Sequence, residues 1–139
     1  MLDSTLRPLV DRALGPPARL LVRLDVTANM VTWTGFVIGM GAAASIAAGW
    51  FTAGLVMILA NRMCDGLDGA VARASRPSDV GGFLDITLDF ISYSAIPFAF
   101  CVNDTQHALA GAFLIFSFVG SGSSFLAFAI IAQKRGIST

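Results

Sequence analysis

The chain of 139 residues has no glutamate, one histidine and two cysteines, and only 13% of its residues are charged. All nine acidic residues are aspartates, so any carboxylate chemistry falls to Asp alone. Cys64 and Cys101 lack the spacing of metal ligands. In the topology below they lie near opposite ends of the helices, too far apart for a disulfide, and both read as small buried apolar residues. His107 falls in a turn and reads as a surface residue rather than a ligand. The net charge is zero, with no basic excess to attract nucleic acid. Residues 1–23 mix polar and apolar side chains without the compact apolar run of a signal peptide. What remains is apolar: 55% hydrophobic with a mean hydropathy of +0.75, outside the usual soluble range. The length suits one membrane domain, residues 1–139.

The apolar residues divide into four stretches. Residues 30–49 carry no charge, and about 20 residues cross a hydrocarbon core of roughly 30 Å at 1.5 Å per residue. Asn29 or Thr27 is placed to cap the start. Gly35, Gly39, Ala43 and Ala47 recur every fourth residue as a small-residue seam for helix packing. Gly49 and Trp50 make a turn at the interface, where Trp is favoured. A second helix is expected over 51–73, apolar in its first half and carrying aspartates in its second. Arg76, Pro77, Ser78 and Asp79 read as the connecting loop, because Pro77 would break a continuing helix. A third helix over 80–102, a turn at 103–106 and a fourth helix over 108–132 follow. The last contains Gly120, Ser121, Gly122, Ser123 and Ser124, read as a packing seam. Residues 1–28 are expected to lie along the interface, with an amphipathic helix from Leu2 to Leu14. The fold class is therefore all-α: a polytopic transmembrane helical bundle of four membrane helices with an N-terminal amphipathic interfacial helix.

Orientation follows from the cations. Arg7, Arg12, Arg19 and Arg23 precede the first span, and Arg62, Arg73 and Arg76 are assigned to the second-to-third connection. Lys134 and Arg135 follow the fourth span, and the turns at Trp50 and Asn103 have none. The positive-inside pattern places both termini and the Pro77 loop in the cytoplasm.

Against this background the aspartates stand out. Asp65, Asp68, Gly69, Ala72 and Arg73 fall at i, i+3, i+4, i+7 and i+8, one stripe of a helix. Asp85 and Asp89 form an i, i+4 pair, with Gly81 one turn ahead. An ionised Asp at the centre of a bilayer helix costs roughly 2.5–3.5 kcal/mol, and converging carboxylates repel unless a cation neutralises them. In an antiparallel hairpin around Pro77, Asp68 and Asp85 share one depth, and Asp65 and Asp89 lie about 5 Å deeper. Carboxylate oxygens suit Mg²⁺, Mn²⁺ or Ca²⁺, as one ion or as the pair that clamps a phosphoryl group. Gly66, Gly69 and Ala72 leave the helix bare beside the aspartates, and Arg73 offers a fork donor to phosphate. The residues point to metal-assisted phosphoryl chemistry at the cytoplasmic face of a membrane.

The two stripes, D-x-x-D-G-x-x-A-R over residues 65–73 and G-x-x-x-D-x-x-x-D over residues 81–89, resemble the signature of the CDP-alcohol phosphatidyltransferases. Every specified residue is present. The spacer, residues 74–80, is seven long, one short of that family's eight. Asn29 to Thr32 also resembles the opening of the family's first membrane helix. The resemblance implies an integral membrane enzyme, in a bacterial inner membrane, with its site facing the cytoplasm. Such an enzyme transfers a substituted phosphate from a CDP-linked lipid or alcohol donor to an acceptor hydroxyl and releases CMP, in phospholipid biosynthesis. By the same resemblance Asp65, Asp68, Asp85 and Asp89 bind Mg²⁺ or Mn²⁺, one ion or two, and Asp89 is the base. Gly69, Ala72 and Arg73 meet the CDP moiety, and Asn29, Thr32 and Ser78 complete the nucleotide pocket. Members usually have six membrane helices and often form homodimers; four helices are expected here, the last two being absent. A truncated, non-catalytic member that binds nucleotide or metal is the alternative. An Asp-lined ion path is a third reading, disfavoured because it needs no bare shelf for a nucleotide. Lys134 and Arg135 read as a positive flank rather than an acceptor-phosphate site.

Overall fold

A computed structural model describes residues 14–75 and 78–136. Residues 14–23 are helical (α1). There follow α2 (Ala28–Ala47), α3 (Phe51–Ala74), α4 (Asp79–Asn103), a 3₁₀ turn (Thr105–His107) and α5 (Ala108–Lys134), with no strand among the described residues. The expected helix from Leu2 to Leu14 lies, except for Leu14, outside the described residues. So do Arg7, Arg12, Arg76 and Pro77, the residue expected to break the helix.

Each boundary has a local cause. The side chain of Thr27, rather than Asn29, caps α2 by accepting a hydrogen bond from the Met30 amide (3.3 Å). Ser78 does the same for α4 through the Gly81 amide (3.0 Å), so Asp79 begins the helix instead of ending the loop. A carboxylate in the first turn also complements the helix dipole. At the end of α2 the Trp50 amide bonds back to the Ser45 carbonyl and the Gly49 amide to that of Ile46. This is a Schellman turn whose central residue takes φ +81° at Gly49. Asp25 closes α1 in the same way at φ 57°, a left-handed position that Asp tolerates better than most residues.

Among the described residues, α2, α4 and the segment Thr105–Lys134 are long and apolar enough to cross a membrane. In its second half α3 carries Arg62, Asp65, Asp68 and Arg73, which lower its hydropathy. α2 packs along α3 and α4. Its buried face is Val31, Thr32, Gly35, Gly39, Ala42 and Ile46. The expected seam of Gly35, Gly39, Ala43 and Ala47 holds only for its first half. A four-residue repeat gains about 40° per step on a 3.6-residue helix, so the contact line passes to Ala42 and Ile46. Both glycines meet close neighbours: a Cβ at Gly35 would lie 2.9 Å from Cys64 Cβ, and one at Gly39 3.2 Å from both Asn61 Nδ2 and Ser92 Oγ. Ile46 in turn is seated on Gly54 of α3, where a Cβ would come within 2.6 Å of it.

α1 closes the end of the bundle that carries the aspartates. Ala18, 1% exposed, packs with Ala70 and Val71 of α3, flanked by Leu14, Leu21 and Val22. α5 leans on α4 through two glycines. A Cβ at Gly111 would collide with Cys101 Sγ and lie 3.1 Å from the Pro97 carbonyl oxygen, and one at Gly122 would meet the Phe90 ring at 2.6 Å. The Gly120 Cα faces open space, so only Gly122 of the expected pair on α5 packs closely.

Candidate functional site

Asp68 lies six residues before the end of α3 and Asp85 six after the start of α4, about 9 Å along each helix. Asp65 and Asp89 sit roughly a turn deeper. The antiparallel α3–α4 pair thus converts two sequence stripes into one cluster. Oxygen atoms of Asp65, Asp68 and Asp85 lie within 4.8 Å of one another. Asp68, 5% exposed, is oriented by the Thr32 hydroxyl of α2, which donates to Oδ2 at 2.8 Å. A void of about 10 Å³ lies among Asp65, Asp68, Asp85 and Asp89, with Thr32, Asn61 and Ser92 in its wall. Three converging hard oxygens beside a space this small fit a divalent cation of the Mg²⁺ or Mn²⁺ kind, which is held by carboxylates and retains waters.

Above the cluster opens a cavity of about 570 Å³, lined in part by Asn29, Thr32, Asp68, Gly69, Ala72, Ser78 and Asp85. All but one of the residues expected to meet a nucleotide therefore share one wall system. The exception is Arg73, which is exposed on α3 with its guanidinium 3.3 Å from where a Gly69 Cβ would stand. Gly81 has a steric reason to lack a side chain: a Cβ there would stand 2.9 Å from Asn29 Oδ1 and 3.1 Å from Ser78 Oγ. Any larger residue would push the first turn of α4 away from α2. Gly66 does not serve as bare surface for a ligand, because Leu14 of α1 lies 3.0 Å from its Cβ position. It points off the stripe, one residue or about 100° from Asp65. Asp25 and Val22 add to the cavity rim and carry no motif that would reveal them in the sequence.

Arg62 is the main correction. It stands at the middle of α3, about 17 Å from either end, not in the connection between α3 and α4. Its Nη2 lies 3.2 Å from Asp89 Oδ1, and its Nη1 is 3.5 Å from Asp65 Oδ2. It also donates to Tyr93 Oη and, through Nε and Nη2, to Asn61 Oδ1 (3.1 and 2.6 Å). Tyr93 Oη donates in turn to Asp89 Oδ2 at 3.0 Å. Buried Asn61 fixes this group to α2 by donating to the Gly35 carbonyl at 2.8 Å. The signals were present in the sequence: Arg62 is i−3 from Asp65, Tyr93 is i+4 from Asp89, and Asn61-Arg62 interrupts an apolar run.

Three apolar helices and a polar cluster between helices define an integral membrane protein with a carboxylate site. Residues 25–139 match the CDP-alcohol phosphatidyltransferase family, and the chain belongs to it. It is 49% identical over 138 residues to the inner membrane protein YnjF of Escherichia coli (strain K12), covering 99% of this chain and 67% of that protein. Archaetidylinositol phosphate synthase of Methanothermobacter thermautotrophicus is 41% identical over 87 residues, covering 62% of this chain and 43% of that protein. Its namesake from Pyrococcus horikoshii is 35% identical over 102 residues, covering 72% and 54% respectively. The chain thus spans about two thirds of the length of YnjF and roughly half that of the two synthases. No solved structure matches the chain. The family is generally dependent on divalent metal, in keeping with the Asp65, Asp68 and Asp85 oxygens.

Proposed function

We propose that the chain catalyses metal-dependent transfer of a substituted phosphate from a CDP-linked lipid or alcohol to an acceptor hydroxyl, releasing CMP. The observation that carries this reading is the convergence of Asp65, Asp68 and Asp85, of which Asp68 and Asp85 line a nucleotide-sized cavity. Those three residues, with Asp89 beside them, would hold Mg²⁺ or Mn²⁺. When bound, the metal supplies positive charge to the pyrophosphate and to the departing phosphate of CMP. Asn29, Thr32 and Ser78 bind the nucleotide, Gly69 and Ala72 let the pyrophosphate approach the α3 backbone, and Arg73 offers its guanidinium from the rim. Asp89 takes the proton of the acceptor hydroxyl as the new P–O bond forms and the bond to CMP breaks. A carboxylate that accepts a proton only in the transition state is a chemically sensible base.

The proposal includes a four-span topology. α3 joins α2 through a three-residue turn and extends 24 residues, about 36 Å, alongside α2 and toward α4. If α2 and α4 both cross the bilayer, α3 must cross between them. Its cost is offset where Arg62 pairs with aspartates. With Arg62 removed from the count, the flanking cations are Arg7, Arg12, Arg19 and Arg23, then Arg73 and Arg76, then Lys134 and Arg135. They still favour a cytoplasmic site and termini. Cysteines placed at Ser78 and Thr105, in a background lacking Cys64 and Cys101, should label oppositely in intact cells. Position 105 should react with an impermeant maleimide, and position 78 only after permeabilisation. Labelling of position 78 from outside would invert the site.

The activity is tested by supplying purified protein in vesicles with CDP-diacylglycerol and a panel of acceptors, and measuring CMP with Mg²⁺ or with chelator. The names of the two synthases make an inositol phosphate one acceptor to include. Metal-dependent CMP release is expected. Absence of release with every acceptor, by protein that binds CDP normally, would reduce the reading to nucleotide binding alone.

A further inference from the structure

The cavity has two ends of different chemistry. Thr32, Asp68 and Asp85 line its deep end, beside the carboxylate cluster. Along α3 the lining continues from Asp68 through Gly69 and Ala72 to Ser75, seven residues or about 10 Å toward the end of the helix. At the shallow end it passes to the turn between α1 and α2, where Asp25 stands with Val22 and Val26. Besides Asp68 and Asp85, Asp25 is the one acidic residue in the lining. It is exposed, and its carboxylate has no hydrogen-bond or ion-pair partner among the described residues. The turn itself does not require the carboxylate. Asp25 closes α1 at φ 57°, its amide bonding to the Val22 carbonyl and the Val26 amide to that of Leu21. Gly and Asn hold a left-handed position at least as readily, and neither brings a negative charge to a cavity meant for phosphates.

We infer that Asp25 selects the base of the nucleotide, accepting a hydrogen bond from the 4-amino group of cytosine, so that the site takes cytidine rather than uridine diphosphate esters. The inference rests on the proposed function and adds to it a residue outside both aspartate stripes. With the phosphates at the aspartate end, the base of a nucleotide reaches the shallow end. There cytosine presents an N–H donor to the carboxylate, whereas uracil presents a carbonyl oxygen, a second acceptor that the carboxylate repels. Val22 and Val26 supply apolar surface for the faces of the ring. The hydroxyls of Thr27 and Ser78 each accept from a helix amide, which leaves each a proton to donate to the ring acceptors. A separation of about 10 Å, close to one screening length in physiological salt, keeps the repulsion between Asp25 and the phosphates small.

Calorimetric titration of the purified full chain, in Mg²⁺, with CDP, UDP and the diphosphate of 2-pyrimidinone riboside tests the inference without recourse to activity. The last ligand lacks only the 4-amino group of CDP. The wild type should bind CDP about tenfold or more tighter than either of the others. Asp25→Asn and Asp25→Gly both suit the left-handed turn and should melt with the wild type. An amide both donates and accepts, so Asp25→Asn should bring UDP to within about threefold of CDP. Asp25→Gly should lower the affinity for CDP to that for the 2-pyrimidinone analogue. Folded variants that bind CDP with the wild-type preference would show that the base is read elsewhere, overturning the inference and leaving the proposed function standing. Wild-type protein that binds CDP and the analogue equally would overturn the inference with no variant needed, so a misfolded variant does not shield it. Wild-type protein that binds none of the three would overturn the nucleotide site and the proposed function with it.

Discussion

α3 and α5 are both long helices of a membrane protein, yet they are built to opposite ends. In its second half α3 keeps Asn61, Asp68, Ala70 and Val71 buried and ties its polar groups to α2 and α4. α5 buries only Gly111, Gly122 and Ala132 of its 27 residues, and its rows of Phe and Leu face outward. The hydroxyl of Ser117 is spent on its own helix, at the Phe113 carbonyl. A helix apolar all round suits contact with lipid or with further membrane helices, whereas polar groups at depth persist only where they are paired and serve a purpose. The polar cluster is therefore concentrated in α2, α3 and α4, and α5 is a wall that touches it only through α4.

Substitutions should separate the two regions sharply. Asp68→Asn is expected to have the largest effect, loss of Mg²⁺-dependent CDP binding, while the Thr32 hydroxyl keeps an acceptor and the fold survives. Calorimetric titration of CDP with and without Mg²⁺ checks this; unchanged binding would remove Asp68 from the ligand set. Asp89→Asn should weaken binding modestly and lower turnover by the roughly 10²–10⁴-fold typical of a lost general base. Near-normal turnover would mean that another group takes the proton. On the far wall, Gly111→Val should cost about 1–3 kcal/mol of stability by overpacking against Cys101 and Pro97, read as a lowered melting temperature in detergent. CDP binding at a temperature where the variant is folded should be unchanged. Gly120→Ala on the same helix meets nothing and should shift stability by no more than about 0.5 kcal/mol. A Gly111 variant that lost CDP binding while fully folded would erase the distinction between wall and site.

Much of the site was legible because it rests on helical period. Asp65, Asp68, Gly69 and Ala72 share a stripe by spacing alone, and hydropathy with cap residues placed the boundaries of α2, α3, α4 and α5 within two residues, but not those of α1. The role of Arg62 was missed although its spacing from Asp65 was visible. Counting cations along a sequence treats each as a flank charge, and only the fold shows that this one turns inward to Asp89 and Tyr93. The seam of α2 was misread past Gly39 for a similar reason, since a strict repeat of four ignores the drift of a 3.6-residue helix. Asp25 reaches the cavity rim through a left-handed turn, which no local pattern announced.

The central claim is that the aspartates of α3 and α4 hold a metal at the phosphates of a CDP-linked substrate. Pulsed electron paramagnetic resonance of Mn²⁺-loaded wild-type protein tests it most directly. Addition of CDP should introduce a hyperfine coupling from phosphorus, placing a phosphate oxygen on the metal, and Asp68→Asn should abolish it. A manganese spectrum unaltered by saturating CDP, in protein that binds both, would contradict the account.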